Sequence, residues 1–306
     1  MATTSYPPNI NCADTASWQL LLQLLSPFAQ ALPNTIDDVA LIKLANEQGV
    51  LFALKEQLEK KQALTIFEPL TQDYFAELYC KQCQRQQKVR QQIAAITACL
   101  NDKGITPLYF KGAAFLLAGW HKTDASRFFI DIDILLSEQD AAKAQNILQQ
   151  EGYQPTTTQP DKHHHLPSLL HKDFPLSVEI HTQPLPARAG FELAGENMLR
   201  NSAAHVCENI GSYKLASADD CFAVVLGNAE VANAGAKTGA INLKDALDVL
   251  ALLEYVDVAS KDEACQAYVY AVLRLFNAPE QWWARLAMAE GGTGVAVVSP
   301  GLAEAV

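Results

Sequence analysis

Two aspartates alternate with isoleucines in the clearest strand pattern of the sequence, FFIDIDILL. Side chains alternate across a strand, so Asp131 and Asp133 share one face and the isoleucines, including Ile130, share the other, which is expected to be the core. Two carboxylates on one face repel each other unless a cation lies between them or water screens them. Mg²⁺ prefers carboxylates together with substrate phosphates. The pattern suits a magnesium site, but an edge strand with one polar face has the same pattern and is favoured for the two aspartates alone.

A second strand, LSVEIH, adds a third acidic side chain. Its alternation places Ser177, Glu179 and His181 on one face. If this strand neighbours the first, Glu179 joins the two aspartates, and three carboxylates on adjacent strands can hold two metal ions and activate a hydroxyl. Arg127 precedes Asp131 by four residues and is predicted on the same strand face. A cation there can bind a triphosphate or pair with the aspartates.

Lys111 and Gly112 lie where a short apolar strand gives way to a helix. The N–H groups at a helix N-terminus attract phosphate, and a glycine lets the phosphate approach the backbone. The chain contains no G-x-x-x-x-G-K-[ST] sequence, so this is not a P-loop. On its own, this two-residue pair is a weak signal for a phosphate contact.

Histidines and cysteines raise the question of zinc. The run His163–His165, with His171 and His181, contains consecutive histidines that cannot all face one metal in a regular element, so a local structural role is favoured. Cys80 and Cys83 form one C-x-x-C pair without a second pair downstream, and a structural zinc site needs four ligands. We interpret that pair as ordinary helix residues.

The elements that must position these residues divide the chain into three segments. Helical spacing dominates residues 1–105, which include a long helix over 69–101. Strands and helices alternate over 106–186, which favours an α+β core with a small mixed sheet. Strand patterns fade over 187–306, which is predicted to be a C-terminal helical region with a loose tail. The polar stretch KQCQRQQKVRQQ within the long helix is predicted to be a solvated face.

Charge and cysteine content limit the partners and the compartment. The 306 residues include 34 Asp+Glu against 23 Lys+Arg, for a net charge of -11. This balance argues against nucleic acid as a partner, because neutralising phosphates needs a basic surplus. Seven scattered cysteines are typical of a reducing cytoplasm. No signal peptide or membrane-spanning run is recognised, so a cytoplasmic location without membrane association is expected.

The order of the motifs resembles the uncharacterised nucleotidyltransferases of the polymerase-β-like superfamily. The matching segments are LYFKGAAFLL, RFFIDIDILL, a capped helix ending in EGY, HHHLPSL and SVEIH. The resemblance is close from Leu108 to His181 and looser in the flanking helical regions. It implies an α+β nucleotidyltransferase core, with a small mixed sheet, between N- and C-terminal helical regions.

The resemblance also implies a reaction. A nucleoside monophosphate would pass from a nucleoside triphosphate, most simply ATP, to an unknown hydroxyl acceptor on a small molecule or a protein. Two Mg²⁺ ions would be held by three carboxylates, those of Asp131, Asp133 and Glu179. The nucleotide end of the site would include Lys111, Gly112 and Arg127.

Two departures from the superfamily pattern keep other functions open. Lys111-Gly112 stands where the wider superfamily usually has Gly-Ser, and Ile130 stands where a small residue is common. One alternative is a catalytically inactive nucleotide- or partner-binding module of the same fold. Another is a metal-dependent phosphate hydrolase that uses the same acidic cluster.

Overall fold

The computed structural model describes residues 15–28, 32, 36–156, 164–186, 193–229, 241–283 and 286. They form two compact units. The sheet unit is Cys80–Gly227, and the helical unit combines Met1–Tyr79 with Asn228–Val306. The division of the chain into segments 1–105, 106–186 and 187–306 stays a prediction.

Helices and one mixed sheet make up the described residues, which confirms the α+β class. The helices are α1 (Thr15–Leu25), α2 (Asp38–Glu47), α3 (Leu51–Lys60), α4 (Pro69–Asn101), α5 (Lys111–Ala118), α6 (Glu138–Gln150), α7 (Gly195–Asn201), α8 (Ala218–Gly227), α9 (Leu243–Leu252), α10 (Glu263–Leu275) and α11 (Glu280–Trp283). The strands are β1 (Leu108–Tyr109), β2 (Asp131–Leu135), β3 (Gln154–Pro155), β4 (Leu169–Leu170), β5 (Ser177–His181), β6 (Ala203–Cys207) and β7 (Gly211–Leu215).

The helical unit is built on packed leucine faces. Helix α1 contacts both α2 and α3. Each of these helices has a fully buried leucine on its apolar side, namely Leu21, Leu41 and Leu54. Ser26 Oγ donates a hydrogen bond of 2.7 Å to the carbonyl oxygen of Phe276, which ties the end of α1 to the end of α10.

The strands of the sheet unit follow the order β3-β4-β5-β2-β1-β7-β6. Strands β2 and β5 are parallel neighbours, so their side chains point to the same faces at matched positions. Their register pairs Asp131 with Ser177 and Asp133 with Glu179. Helix α6, which follows β2, begins at an N-cap serine, Ser137, whose Oγ accepts a hydrogen bond from the Asp140 N–H, and it is the capped helix ending in EGY that the sequence predicts.

The hairpin of β6 and β7 lies in a segment that the sequence predicted to be helical. Strand β6 forms an edge of the sheet, and Val206 in it is 85% exposed. Because β6 has no buried face, its sequence lacks the alternation of apolar and polar residues that marks a half-buried strand. It is held by backbone pairing with β7, from Ala203 opposite Leu215 to Cys207 opposite Gly211.

The polar stretch of α4 has an exposed side, which includes Lys81 and Lys88, but it also has a buried side that the sequence did not predict. Gln82, Gln86 and Gln92 are 3%, 1% and 0% exposed. A side-chain amide carries both donors and an acceptor, so it can satisfy buried backbone groups that lack a strand partner. A helix lined with such residues can therefore contact irregular backbone at the ends of a sheet.

These contacts fix the segments that enter the two carboxylate-bearing strands. Before β2, Arg85 Nη2 donates to the carbonyl oxygen of Phe129 at 2.6 Å, and Gln86 Nε2 donates to that of Arg127 at 3.2 Å. Before β5, Gln92 Nε2 donates to the Leu176 carbonyl oxygen at 2.8 Å, and its Oε1 accepts from the Leu176 N–H at 3.2 Å. Gln92 thus binds Leu176 as a neighbouring strand would.

Replacing Gln92 with leucine is expected to destabilise the protein. The substitution keeps an apolar stem but leaves the buried N–H and C=O of Leu176 without these partners, at about 1–3 kcal/mol for each group. Urea unfolding measures the effect. The matched control is Gln91→Leu at the adjacent exposed position, which should change the free energy of unfolding by less than about 0.5 kcal/mol. Equal effects of the two variants would contradict this role for Gln92.

Candidate functional site

Asp133 and Glu179 lie abreast on neighbouring parallel strands. Their backbone positions are paired in the register of β2 and β5, so both side chains project from the same face. With His181, two residues further along β5, they form a group whose ligand atoms all lie within 4.8 Å of one another. Asp133 and His181 are fully buried, whereas the Glu179 side chain is 20% exposed.

The buried carboxylate of Asp133 is held by two donors. Its Oδ1 accepts from Lys111 Nζ at 2.7 Å and from His181 Nε2 at 2.8 Å. Within the described part of the chain, Oδ2 has no hydrogen-bond partner although it is buried. Burial alone would raise the pKa of Asp133, but the charge of Lys111 and the hydrogen bond from His181 outweigh burial and hold that pKa well below its ordinary value. Asp133 is therefore an ionised carboxylate with one oxygen that lacks a partner in the described residues.

Lys111 reaches this carboxylate from the first residue of α5. Its backbone φ is 49°, in the left-handed region that side chains other than glycine rarely adopt. Burial would lower the pKa of its ammonium, but the nearby charge of Asp133, with smaller contributions from Asp131 and Glu179, raises it. The ammonium is therefore charged, and it supplies the positive charge nearest to Asp133.

Glu179 has its own set of donors. Ser168 Oγ donates to Glu179 Oε1 at 2.8 Å, and His181 Nε2 lies 3.5 Å from Oε2. His165 Nε2 lies 3.8 Å from the same oxygen, and His165 Nδ1 donates to the Leu166 carbonyl oxygen at 2.7 Å. Burial would raise the pKa of Glu179, but the hydrogen bonds from His181 and Ser168 outweigh it and lower the pKa to about 2.

Asp131 lies two residues before Asp133 on β2, outside this group. It is the first residue of β2, is half-buried, and is not among the atoms within 4.8 Å. It shares the face of Asp133 and is close enough for its charge to raise the pKa of Lys111. Ile130 is 65% exposed, so the expectation that it faces the core is wrong. The reason is that β2 begins only at Asp131, after Ile130.

Gly112 and Arg127 pack against each other next to Lys111. A Cβ on Gly112 would lie 2.8 Å from Arg127 Nη1 and 2.7 Å from the Phe129 ring, so only glycine fits there. The Arg127 guanidinium also lies 5.0 Å from the centre of the Phe115 ring. Gly112 therefore lets the side chains of Arg127 and Phe129 approach the backbone closely. Gly112 and Arg127 also line a small surface pocket.

Three contributors to the site were not assigned to it from the sequence. His181 carried a usable signal, because the Glu-x-His alternation places it on the face of Glu179. His165 and Ser168 lie in the HHHLPSL segment that resembles the family, but no alternation places them at the site, because they reach it through pairing next to β5, where His165 bridges to His181. His163 lies outside the described residues, and Cys80 and Cys83 lie on α4, as predicted.

The sequence model of a family described as uncharacterised nucleotidyltransferase matches residues 34–290. The chain belongs to this family. The match confirms the resemblance seen in the motifs and supports nucleotidyl transfer as the general class of reaction. Comparison with curated proteins gives no match. None of the helices in the described ranges is both long enough and apolar enough to cross a membrane.

The acidic group has the chemistry that the divalent cation of a nucleotidyltransferase requires. Asp133 offers an ionised, buried oxygen that has no partner in the described residues, and Glu179 offers a second carboxylate beside it. Carboxylate oxygens are the protein ligands that hard divalent cations take. The imidazole of His181 hydrogen-bonds to Asp133 and orients it, as groups around metal ligands do.

Glu179 is expected to contribute to the loss of stability in acid. Its pKa is lowered from 4.5 to about 2 in the folded protein, so the ionised carboxylate stabilises the fold above pH 4.5. That stabilisation is lost as the pH falls towards 2. Wild-type protein should therefore lose more free energy of unfolding between about pH 5 and about pH 3 than Glu179→Gln does. Urea unfolding at the two pH values measures this.

The control for this measurement is Glu208→Gln, at an exposed position in the turn between β6 and β7. It should lose as much free energy as the wild type over the same interval. A Glu179→Gln variant that behaves like the control would contradict the lowered pKa.

Proposed function

We propose that this chain is a metal-dependent nucleotidyltransferase that moves a nucleoside monophosphate from a nucleoside triphosphate to a hydroxyl acceptor. ATP is the donor to test first. The observation that carries the proposal is the placement of Asp133 and Glu179 abreast on parallel strands, with a buried oxygen of Asp133 lacking a partner in the described residues. Membership of the nucleotidyltransferase family supports the same chemistry.

Asp131, Asp133 and Glu179 are the proposed ligands of two Mg²⁺ ions. The lowered pKa values of Asp133 and Glu179 support this role, because both carboxylates are then ionised at neutral pH without a bound metal. Bound divalent cations would neutralise phosphate charge and lower the pKa of the acceptor hydroxyl. His181 and Ser168 would keep the carboxylates in place through the hydrogen bonds described above.

In the proposed reaction the acceptor oxygen bonds to the α-phosphorus of the nucleotide. The bond from that phosphorus to the oxygen bridging to the β-phosphate breaks, and pyrophosphate leaves with the bonding electrons. The acceptor proton passes to Glu179. Lys111 and Arg127 would offset the charge on the phosphates, and Gly112 lies between them at the start of α5.

The acceptor is proposed to be a small molecule or a protein side chain. A net charge of -11 disfavours a nucleic-acid acceptor, because binding its phosphates needs clustered cations. The odd, scattered cysteines favour a cytoplasmic location. No membrane partner is proposed.

A second candidate is a binding module of the same fold that no longer catalyses transfer. The ion pair between Lys111 and Asp133 favours it, because the protein itself supplies a cation to the central carboxylate. In that case the cluster would serve mainly to hold β1, β2 and β5 together. A phosphate hydrolase would use the same carboxylates to pass the phosphoryl group to water, whereas the transferase passes a nucleotidyl group to a hydroxyl and the binding module passes none.

The stability of the Asp131→Ala and Asp133→Ala variants, with and without Mg²⁺ and ATP, should distinguish these functions. From the like charges alone, removing either aspartate is expected to leave the metal-free protein as stable or slightly more stable. For Asp133 the ion pair predicts the opposite, because its loss leaves the half-buried ammonium of Lys111 without its partner, at about 3–5 kcal/mol. Asp131→Ala should keep near-wild-type stability without metal and lose the rise in melting temperature that Mg²⁺ with ATP gives the wild type.

Thermal melts with and without Mg²⁺ and ATP measure this, with Asp173→Ala as an exposed control that should respond as the wild type does. If Mg²⁺ with ATP does not change the melting temperature of the wild-type protein, the enzyme proposal is contradicted. Incubation with ATP labelled at the α-phosphate then identifies the activity. A labelled acceptor indicates transfer, labelled AMP indicates hydrolysis, and bound but unchanged ATP indicates a binding module.

A further inference from the structure

The ion pair of Lys111 and Asp133 occupies the carboxylate to which the proposed function assigns a metal. We propose that Lys111 is an exchangeable counter-ion, which neutralises Asp133 in the free protein and is displaced towards the nucleotide phosphates when a divalent cation binds. This inference rests on the proposed function, because it assigns the metal and the triphosphate to the same site. It makes metal binding and nucleotide binding depend on one side chain.

Only one of the two oxygens of Asp133 has an acceptor position that the described residues leave unused. Its Oδ1 accepts from both Lys111 Nζ and His181 Nε2, at 2.7 and 2.8 Å, so both lone pairs of that oxygen are used. Oδ2 is buried and lacks a partner among the described residues. A divalent cation on Oδ2 would lie close to the ammonium that is bound to the other oxygen of the same carboxylate. Two like charges that close in a poorly solvated site repel strongly.

Lys111 is the donor that can leave. His181 is fully buried, lies edge-on to the Phe110 ring at 4.9 Å between centres, and is fixed within β5. The Lys111 side chain is 20% exposed, and its ammonium is carried on a flexible stem. Repulsion from a metal therefore displaces the lysine and leaves the histidine in place.

A displaced ammonium has an anion site next to it. Lys111 is the first residue of α5, and the N-cap residue, Phe110, makes no side-chain hydrogen bond to that N-terminus. Uncapped N–H groups at the start of a helix attract phosphate, so a triphosphate there would meet both the helix and the released ammonium. The backbone of Lys111 itself is strained, with a φ of 49°. Such strain persists where the surrounding structure holds the residue in place, and it is common at functional sites.

The first test measures Mn²⁺ binding by electron paramagnetic resonance, with no nucleotide present. Lys111→Met removes the competing cation and leaves a buried carboxylate in need of one, so Mn²⁺ affinity should rise by on the order of tenfold. The matched control is Lys143→Met, which removes an exposed lysine paired with Asp140 and should leave Mn²⁺ affinity unchanged.

The second test uses the wild-type protein and needs no variant to fold. Acetic anhydride labels accessible lysines, and mass spectrometry gives the extent at each position. Labelling of Lys111 should increase when Mg²⁺ is added, because the ammonium leaves Asp133, and should fall again when ATP is also added. Labelling of Lys143 should not change.

The outcomes separate this inference from the proposed function. If Mn²⁺ binds the wild type and Lys111→Met equally, or if Mg²⁺ leaves the labelling of Lys111 unchanged, counter-ion exchange is overturned and the metal site stands. If Mn²⁺ binds neither protein, the metal-dependent function is overturned together with the exchange. If Lys111→Met does not fold, the labelling of the wild type decides.

Discussion

A carboxylate that is fully buried needs a positive charge or strong donors beside it, and Asp133 imposes this requirement on the sheet unit. An ionised side chain without partners would change its protonation state or destabilise the fold by several kcal/mol. Lys111 meets the requirement from the start of α5 and His181 from β5, on either side of β2. The order of the strands, with β2 between β1 and β5, is therefore part of the electrostatics of the site.

The alignment of the two carboxylates also depends on the backbone that immediately precedes β2 and β5. Parallel strands need a long connection, and in this chain β2 and β5 are separated by α6 and two short strands. Arg85, Gln86 and Gln92 of α4 bind the backbone just before each strand begins. These side chains hold Asp133 opposite Glu179, because a shift by one residue would turn one carboxylate to the other face of the sheet.

The contacts around the two paired carboxylates keep them charged in the free protein. Donors to Asp133 and Glu179 lower both pKa values, so the carboxylates remain ionised and in place at neutral pH. The proposed metal would then need little rearrangement, apart from the proposed movement of Lys111. Membership of the nucleotidyltransferase family gives this arrangement a chemical context, and the ion pair with Lys111 offsets the charge of Asp133 beside Glu179.

Local patterns in the sequence were sufficient for several elements and for the family. The Ser137 cap predicts α6, the alternation around Asp131 and Asp133 predicts β2, and SVEIH predicts β5, because each depends on neighbours a few residues away. The order of these motifs also identified the family that the match over residues 34–290 confirms. The roles of the site residues in catalysis stay predictions.

Other features depend on residues far apart in the sequence, and only the tertiary structure decided them. Gln92 has the composition of a solvated helix position but is buried, because the backbone at Leu176 supplies its partners. Edge strand β6 exists because β7 pairs with it. Lys111 and Asp133 are 22 residues apart, and no periodicity reports that an ammonium closes on a particular carboxylate. Periodicity shows which face a side chain takes, whereas its charge partner is set by which elements pack together in space.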